Sequence, residues 1–146
     1  MERWAAELGL APLVGEGGFF VATWRSAHAV EPAGFPGGRA IASAIYFLLE
    51  RGQRSEWHQL RSDELWFWHR GAPVTLRFGG DGTAPDTAPG TVTEVVLGPE
   101  IEAGQRPQVH IPAGQWQSTE RADADTLMSC VVSPGFDYAD FRLADG

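Results

Sequence analysis

Residues 52–71, GQRSEWHQLRSDELWFWHRG, gather the groups of this chain best suited to chemistry. The stretch holds one central imidazole (His58), a carboxylate six residues later (Glu64) and three indoles (Trp57, Trp66, Trp68). SEWHQL and ELWFWH read as two short strands, with RSD as the turn between them. Alternate side chains of a strand share a face, so Glu64, Trp66 and Trp68 point the same way. A carboxylate beside two indoles is costly to bury without a partner or a ligand. A neutral imidazole suits abstraction of a carbon-bound proton near neutral pH, which makes His58 the candidate general base. Glu64 would orient it or accept a proton, its pKa raised by aromatic surroundings.

Other residues are candidates for holding a substrate. Trp66 and Trp68 can stack on a planar or sugar-like ligand and exclude water, or simply fill the interior. Arg25 and Gln108 can orient a carboxylate or phosphate, although Arg25 reads equally as a surface charge. Gln108 and Gln117 can hydrogen-bond a substrate carbonyl. His110, in QVHIP, is a second acid/base if it faces inward and a surface histidine if it faces outward. His69 falls on the face opposite Glu64, and His28 sits in a loop.

The elements that must position these groups are short strands. A chain of 146 residues fits one domain, residues 1–146, able to bury a real core. Its 18 glycines and 10 prolines, spread along the length, imply many turns. Strand patterns run over residues 19–24, 73–78, 91–98, 108–112, 115–120 and 126–132. Residues 40–49, AIASAIYFLL, are helix or buried strand by periodicity alone. The Ile-Tyr-Phe cluster and the neighbouring strands favour a strand from Ser43 to Leu49. Residues 2–9 predict a short helix, stopped by Gly9 and Pro12, and residues 136–141 a helical turn. The expected class is all-β, a sandwich, jelly roll or barrel with short terminal helices.

Charge and composition exclude several functions. A net charge of −8 gives no basic patch for a nucleic-acid backbone. No stretch approaches a membrane span, and the N-terminus lacks the pattern of a signal peptide. A soluble cytoplasmic protein with a small-molecule ligand is expected. Cys130 is single, so no internal disulfide forms, and it reads as a small buried hydrophobe.

The spacing also resembles a family pattern. Gly52, five residues, His58, three residues after position 60, Glu64, six residues and Gly71 match the first motif of the cupin superfamily, with Leu60 where that motif has a second histidine. Pro112-Ala113-Gly114 matches the P-x-G turn of the second motif, with Gln117 where it has a histidine and Gly104 two residues early. EGGFF, TWRS, AIYFLL, SEWH, SDELW, PQ followed by PAGQWQ, and SPGFDYADF together resemble the Cupin_5 (DUF985) family over residues 16–143. The chain departs from it at Val14-Gly15 and Val21-Ala22. The resemblance implies a double-stranded β-helix, a jelly-roll cupin barrel similar to the RmlC-like sugar epimerases and usually a homodimer. It places His58, Glu64 and Gln117 inside the barrel, as ligands of one divalent metal or as a polar pocket requiring no cofactor. It points to an isomerase, epimerase or lyase acting by proton transfer on a sugar-like or keto-type metabolite. The alternatives are a non-catalytic small-ligand binder and a metal-dependent oxygenase.

Overall fold

The computed structural model describes residues 1–144. A short helix, α1 (Arg3–Ala6), leads into β1 (Ala11–Pro12), β2 (Phe19–Arg25), β3 (Ala29–Val30), β4 (Arg39–Ala40) and β5 (Ser43–Leu49). Then follow β6 (His58–Leu60), β7 (Asp63–Gly71), β8 (Val74–Phe78), β9 (Thr93–Leu97), β10 (Gln108–Ile111), β11 (Trp116–Thr119), β12 (Thr126–Ser133) and β13 (Phe141–Leu143). One sheet has the order β1-β2-β5-β12-β7-β10 and a second β13-β6-β11-β8-β9, while β3 and β4 pair by themselves. Every ladder between these strands is antiparallel.

The strand patterns expected from the sequence appear, with informative differences. The apolar run after Ala42 is strand from Ser43 to Leu49, paired on both sides by β2 and β12. A strand paired on both edges, with no residue exposed on either face, needs no polar alternation, which is why periodicity left it open. SEWHQL is strand only at its end, His58–Leu60. Its first residues give their backbone N–H groups elsewhere: Ser55 to the Thr119 hydroxyl at 2.9 Å and Glu56 to the Glu16 carbonyl at 2.7 Å. The N-terminal helix stops after Ala6 rather than near Gly9, without a side-chain cap at Glu2. Helix is not confined to the ends, since a 3-10 turn spans Ile101–Ala103 between β9 and β10. A second such turn, Tyr138–Asp140, fits the helical turn expected there.

The core lies between the two larger sheets, where Phe47, Leu49, Trp66 and Met128 meet Val74, Leu76 and Leu97. Trp66 is packed edge-on against Phe47, with ring centroids 5.5 Å apart. A buried indole of this kind contributes on the order of 3–5 kcal/mol against alanine.

Register decides which side chains share the inner face of the six-stranded sheet. Arg25 is opposite Ser43, Ser43 opposite Val132, Val132 opposite Glu64, and Glu64 opposite Ile111. Directly opposed residues sit on one face, so this row crosses five strands with a cation near one end and a carboxyl near the other. The next inner row runs Ala22, Ile45, Cys130, Trp66 and Val109. Between these two rows the pairing of β2 with β5 slips by one residue, between Ala22 and Trp24.

Candidate functional site

A cavity of about 440 Å³ opens between the inner face of this sheet and the N- and C-terminal segments. Its walls are mostly apolar: Leu13, Phe20, Ile45, Leu60, Val132 and Phe141. Two carboxyls, Glu16 and Glu64, line it as well. Around the mouth stand Val14, Trp24 and Tyr138, which are 91%, 52% and 67% exposed.

Glu16 is the residue that sequence reasoning missed. It sits in the turn between β1 and β2, held down by a positive φ of 104° at Gly17. A side chain at Gly17 would run into the carbonyl oxygen of Arg54. Only glycine allows the turn to press so close, and the approach carries the Glu16 carboxyl inward. The signal in the sequence is an acid flanked by glycines, GEGG, immediately before an apolar strand.

Inside, Glu16 Oε1 lies 3.2 Å from His58 Nε2. His58 is 2% exposed, and its Nδ1 is 2.8 Å from the Glu56 carbonyl oxygen. A carbonyl only accepts, so Nδ1 carries the hydrogen and Nε2 of the neutral ring presents a lone pair. Burial pushes the Glu16 carboxyl up to about 8, against a hydrogen bond from Ser55 that favours its charged form. Burial also lowers the His58 pKa, outweighing the pull of Glu64 and of the Glu56 carbonyl. The two shifts agree: a protonated Glu16 donates to a neutral His58. One proton is shared between them.

Glu64 is the second buried acid, 6% exposed. Gln117 Nε2 donates to its Oε1 at 2.9 Å. Burial raises its pKa, while the proximity of His58 and the Gln117 bond work the other way. The Trp66 indole N–H forms no well-aligned hydrogen bond, yet it is near enough to Glu64 to favour the charged form. His58, Glu64 and Gln117 thus come together as the motif spacing implied. Strand β11 brings Gln117 directly opposite His58.

Several expected site residues are elsewhere. Gln108 and His110 face outward, because their neighbours Val109 and Ile111 take the inner face of β10. His110 instead meets the exposed Asp63, Nε2 to Oδ1 at 2.9 Å. Neither contributes to the cavity. Trp66 and Trp68 belong to the packed interior rather than the cavity wall, and the Trp68 indole donates to the Ala72 carbonyl at 3.3 Å. Arg25 does stand at the mouth, donating to the Phe136 carbonyl at 2.9 Å. His69 is exposed on the opposite face, 2.7 Å from the Ser129 hydroxyl. Cys130 is buried and lines the cavity, and burial pushes its thiol well above the ordinary range, which makes it an unreactive wall.

The donor set does not suit a tightly held metal. His58 turns its free nitrogen to the Glu16 proton, Gln117 turns its NH₂ group to Glu64, and apolar Leu60 fills the position of the motif's second imidazole. Among the described residues no three His, Cys, Asp or Glu side chains are arranged around a common ion position. A groove of about 490 Å³ between Trp57, Trp116 and Arg142 holds neither Glu16 nor Glu64.

The aromatic side of the mouth has its own support. Phe136, Tyr138 and Phe141 pack edge to face around the 3-10 turn Tyr138–Asp140. Asp140 grips the Arg39 guanidinium through two 2.8 Å bonds, Nε to Oδ2 and Nη2 to Oδ1. Such a two-pronged pair fixes direction as well as distance.

The family described as "Cupin superfamily (DUF985)" matches residues 2–144. No curated protein matches the chain. A hypothetical protein from Leishmania major shares 34% identity at a TM-score of 0.81, over 95% of this chain and 84% of its own. A Shewanella oneidensis protein is equally similar, at 34% identity and a TM-score of 0.81, over 98% of this chain and 85% of its own. A Klebsiella pneumoniae protein with a double-stranded β-helix domain aligns over the whole of both chains at 15% identity and a TM-score of 0.57, a likeness of fold. No helix among the described residues is long and apolar enough to cross a membrane.

Proposed function

Because this chain belongs to the Cupin_5 family of the cupin superfamily, with its double-stranded β-helix fold, we propose that the cavity is the active site of a proton-transfer enzyme. The reaction is of the isomerase, epimerase or lyase kind, on a keto-type or sugar-like small molecule. The observation that carries this reading is the 3.2 Å contact of Glu16 Oε1 with His58 Nε2, held beside a second buried acid. Paired titratable groups with environments that shift them strongly mark acid/base sites.

In this mechanism Glu16 and Glu64 are the catalytic residues, since they line the cavity. His58 is the positioning residue behind Glu16. Transfer of the shared proton to His58 Nε2 leaves Glu16 as a carboxylate, ready to take a proton from substrate carbon. Protonated Glu64 delivers a proton to the opposite end of the resulting enolate, and Gln117 stabilises the carboxylate that remains; as product leaves, water returns one proton to Glu64 and takes the extra one from the Glu16–His58 pair. The apolar walls keep bulk water from quenching the intermediate.

The test is hydrogen–deuterium exchange in D₂O, followed by NMR over a panel of keto acids and nucleotide sugars. Deuterium should enter one carbon-bound position of the true substrate. Glu16→Gln should slow that exchange by about 10²–10⁴-fold. Binding without exchange would favour the alternative, a ligand-binding cupin, for which the largely apolar wall is the supporting observation.

We further propose that the protein is a homodimer. Beyond the two residues paired with β1, the outer edge of β2 presents its remaining backbone groups, with the exposed Trp24 beside them. An edge of this kind invites a second strand. Sedimentation at micromolar protein should give a dimer, and a monomer there would exclude the assembly.

A further inference from the structure

Resting on the proton-transfer reading of the cavity, we infer that the substrate is an amphipathic carboxylate rather than a sugar. Its carboxylate is held by Arg25 at the mouth, its middle is apolar, and its reacting carbon lies at the far end beside Glu16 and Glu64.

The inner row of the sheet sets this polarity. Arg25 and Glu64 share that row and stand three strands apart, with Ser43 and Val132 between them. Three interstrand spacings separate their backbones by about 14 Å. The anionic end is therefore remote from the reacting end. Apart from Ser43, whose hydroxyl already accepts from the Phe136 N–H at 2.9 Å, the wall between the two includes Ile45, Leu60, Val132, Phe20 and Phe141. A sugar carries a hydroxyl on nearly every carbon, and each one buried here without a partner would be penalised. An alkyl or aryl middle section has no such cost, and gains from the area it buries.

Arg25 is the sole arginine lining the cavity, the chain contains no lysine, and among the described residues it pairs with no carboxylate. Its bond to the Phe136 carbonyl uses one Nη2 hydrogen and leaves the rest of the guanidinium fork available. A single cation matches a single negative charge. A phosphate monoester carries close to two at neutral pH and would remain half-neutralised. The exposed indole of Trp24, next to Arg25 on β2, adds an apolar shoulder to the same rim.

Calorimetry with 6-oxoheptanoate, 2-heptanone, heptyl phosphate and UDP-glucose separates the cases. Wild-type protein should bind 6-oxoheptanoate most tightly. Arg25→Gln should weaken that binding by about tenfold or more, while leaving 2-heptanone unchanged. Arg25→Lys, which keeps the charge, should fall between them. Equal binding of 6-oxoheptanoate by wild type and Arg25→Gln would overturn the assignment of Arg25. Tighter binding of heptyl phosphate or UDP-glucose would overturn the ligand class. In D₂O, the NMR signals beside the 6-oxo group report proton transfer separately. Arg25-dependent binding with no exchange upholds the amphipathic carboxylate and overturns the enzymatic reading instead.

Discussion

Replacing Glu16 by glutamine is expected to stabilise this protein at alkaline pH, while removing its proton-transfer chemistry. The sign follows from where the proton resides. In the unfolded chain Glu16 releases its proton near 4.5, whereas in the fold it retains it up to about 8. Across that window the folded state binds more protons, so stability falls as pH rises. The loss is complete once pH exceeds the folded pKa, and is on the order of 5 kcal/mol for a shift of this size. Glu64, also raised by burial, adds a slope of the same sign. His58 works oppositely: its lowered pKa gives stability present above its unfolded value and lost as pH falls. Glutamine keeps the shape and can still donate to His58 Nε2, but it has no charge to bury. Urea midpoints at about pH 6 and about pH 9 should therefore diverge in wild type and nearly coincide, apart from the Glu64 slope, in Glu16→Gln. Parallel curves for the two proteins would mean that Glu16 is not buried as an acid.

Gly71→Ala should be the most damaging small substitution. Gly71 has φ of 99°, and an added Cβ would meet the carbonyl oxygen of Asp125, with Thr126 Cα 2.8 Å away. Both neighbours are backbone, at a point where β7 pairs with the buried start of β12. The strand end would have to separate, at a cost of at least about 3 kcal/mol. Gly104→Ala is the control. Its φ of 89° is as strained for alanine, yet nothing lies within 4 Å of the added atom. That change should cost only about 1–2 kcal/mol. Thermal melts of the two variants give the comparison, and equal losses would show that the Asp125 contact is immaterial. The same contact gives a physical reason for a glycine at the end of the motif.

The strands and the inward set His58, Glu64 and Gln117 were legible because they depend on local alternation and fixed spacing. Asp63 points out and Glu64 in, as a period of two requires. The same rule, applied to QVHI, would have turned His110 outward from the burial of Val109 and Ile111. What alternation could not give was the depth of Trp66 and Trp68 relative to the cavity, because both lie on the expected face and differ only in what packs above them. Glu16 was hidden for another reason. It lies in a turn with no periodicity, and its partner is brought to it by the fold rather than by sequence proximity. The burial of His58 makes it part of the structure as well as of the site. A residue with both ring nitrogens engaged cannot be truncated to alanine at no structural cost, since the Glu56 carbonyl would lose its donor, worth about 1–3 kcal/mol.

The pairing of β5 with β12 has a consequence for how the molecule comes into being. Residues 43–49 meet residues 126–132 at the centre of the large sheet, and Phe141 closes over His58 with ring centroids 5.6 Å apart. A ribosome must therefore release residues 126–132, about 80 residues after β5, before the central ladder can form. The entropy of closing so long a loop has to be met before the contacts that repay it exist. Until then the apolar segment Ser43–Leu49 waits without its later partner, so the nascent chain is most vulnerable to aggregation there, before a cavity exists to receive any ligand.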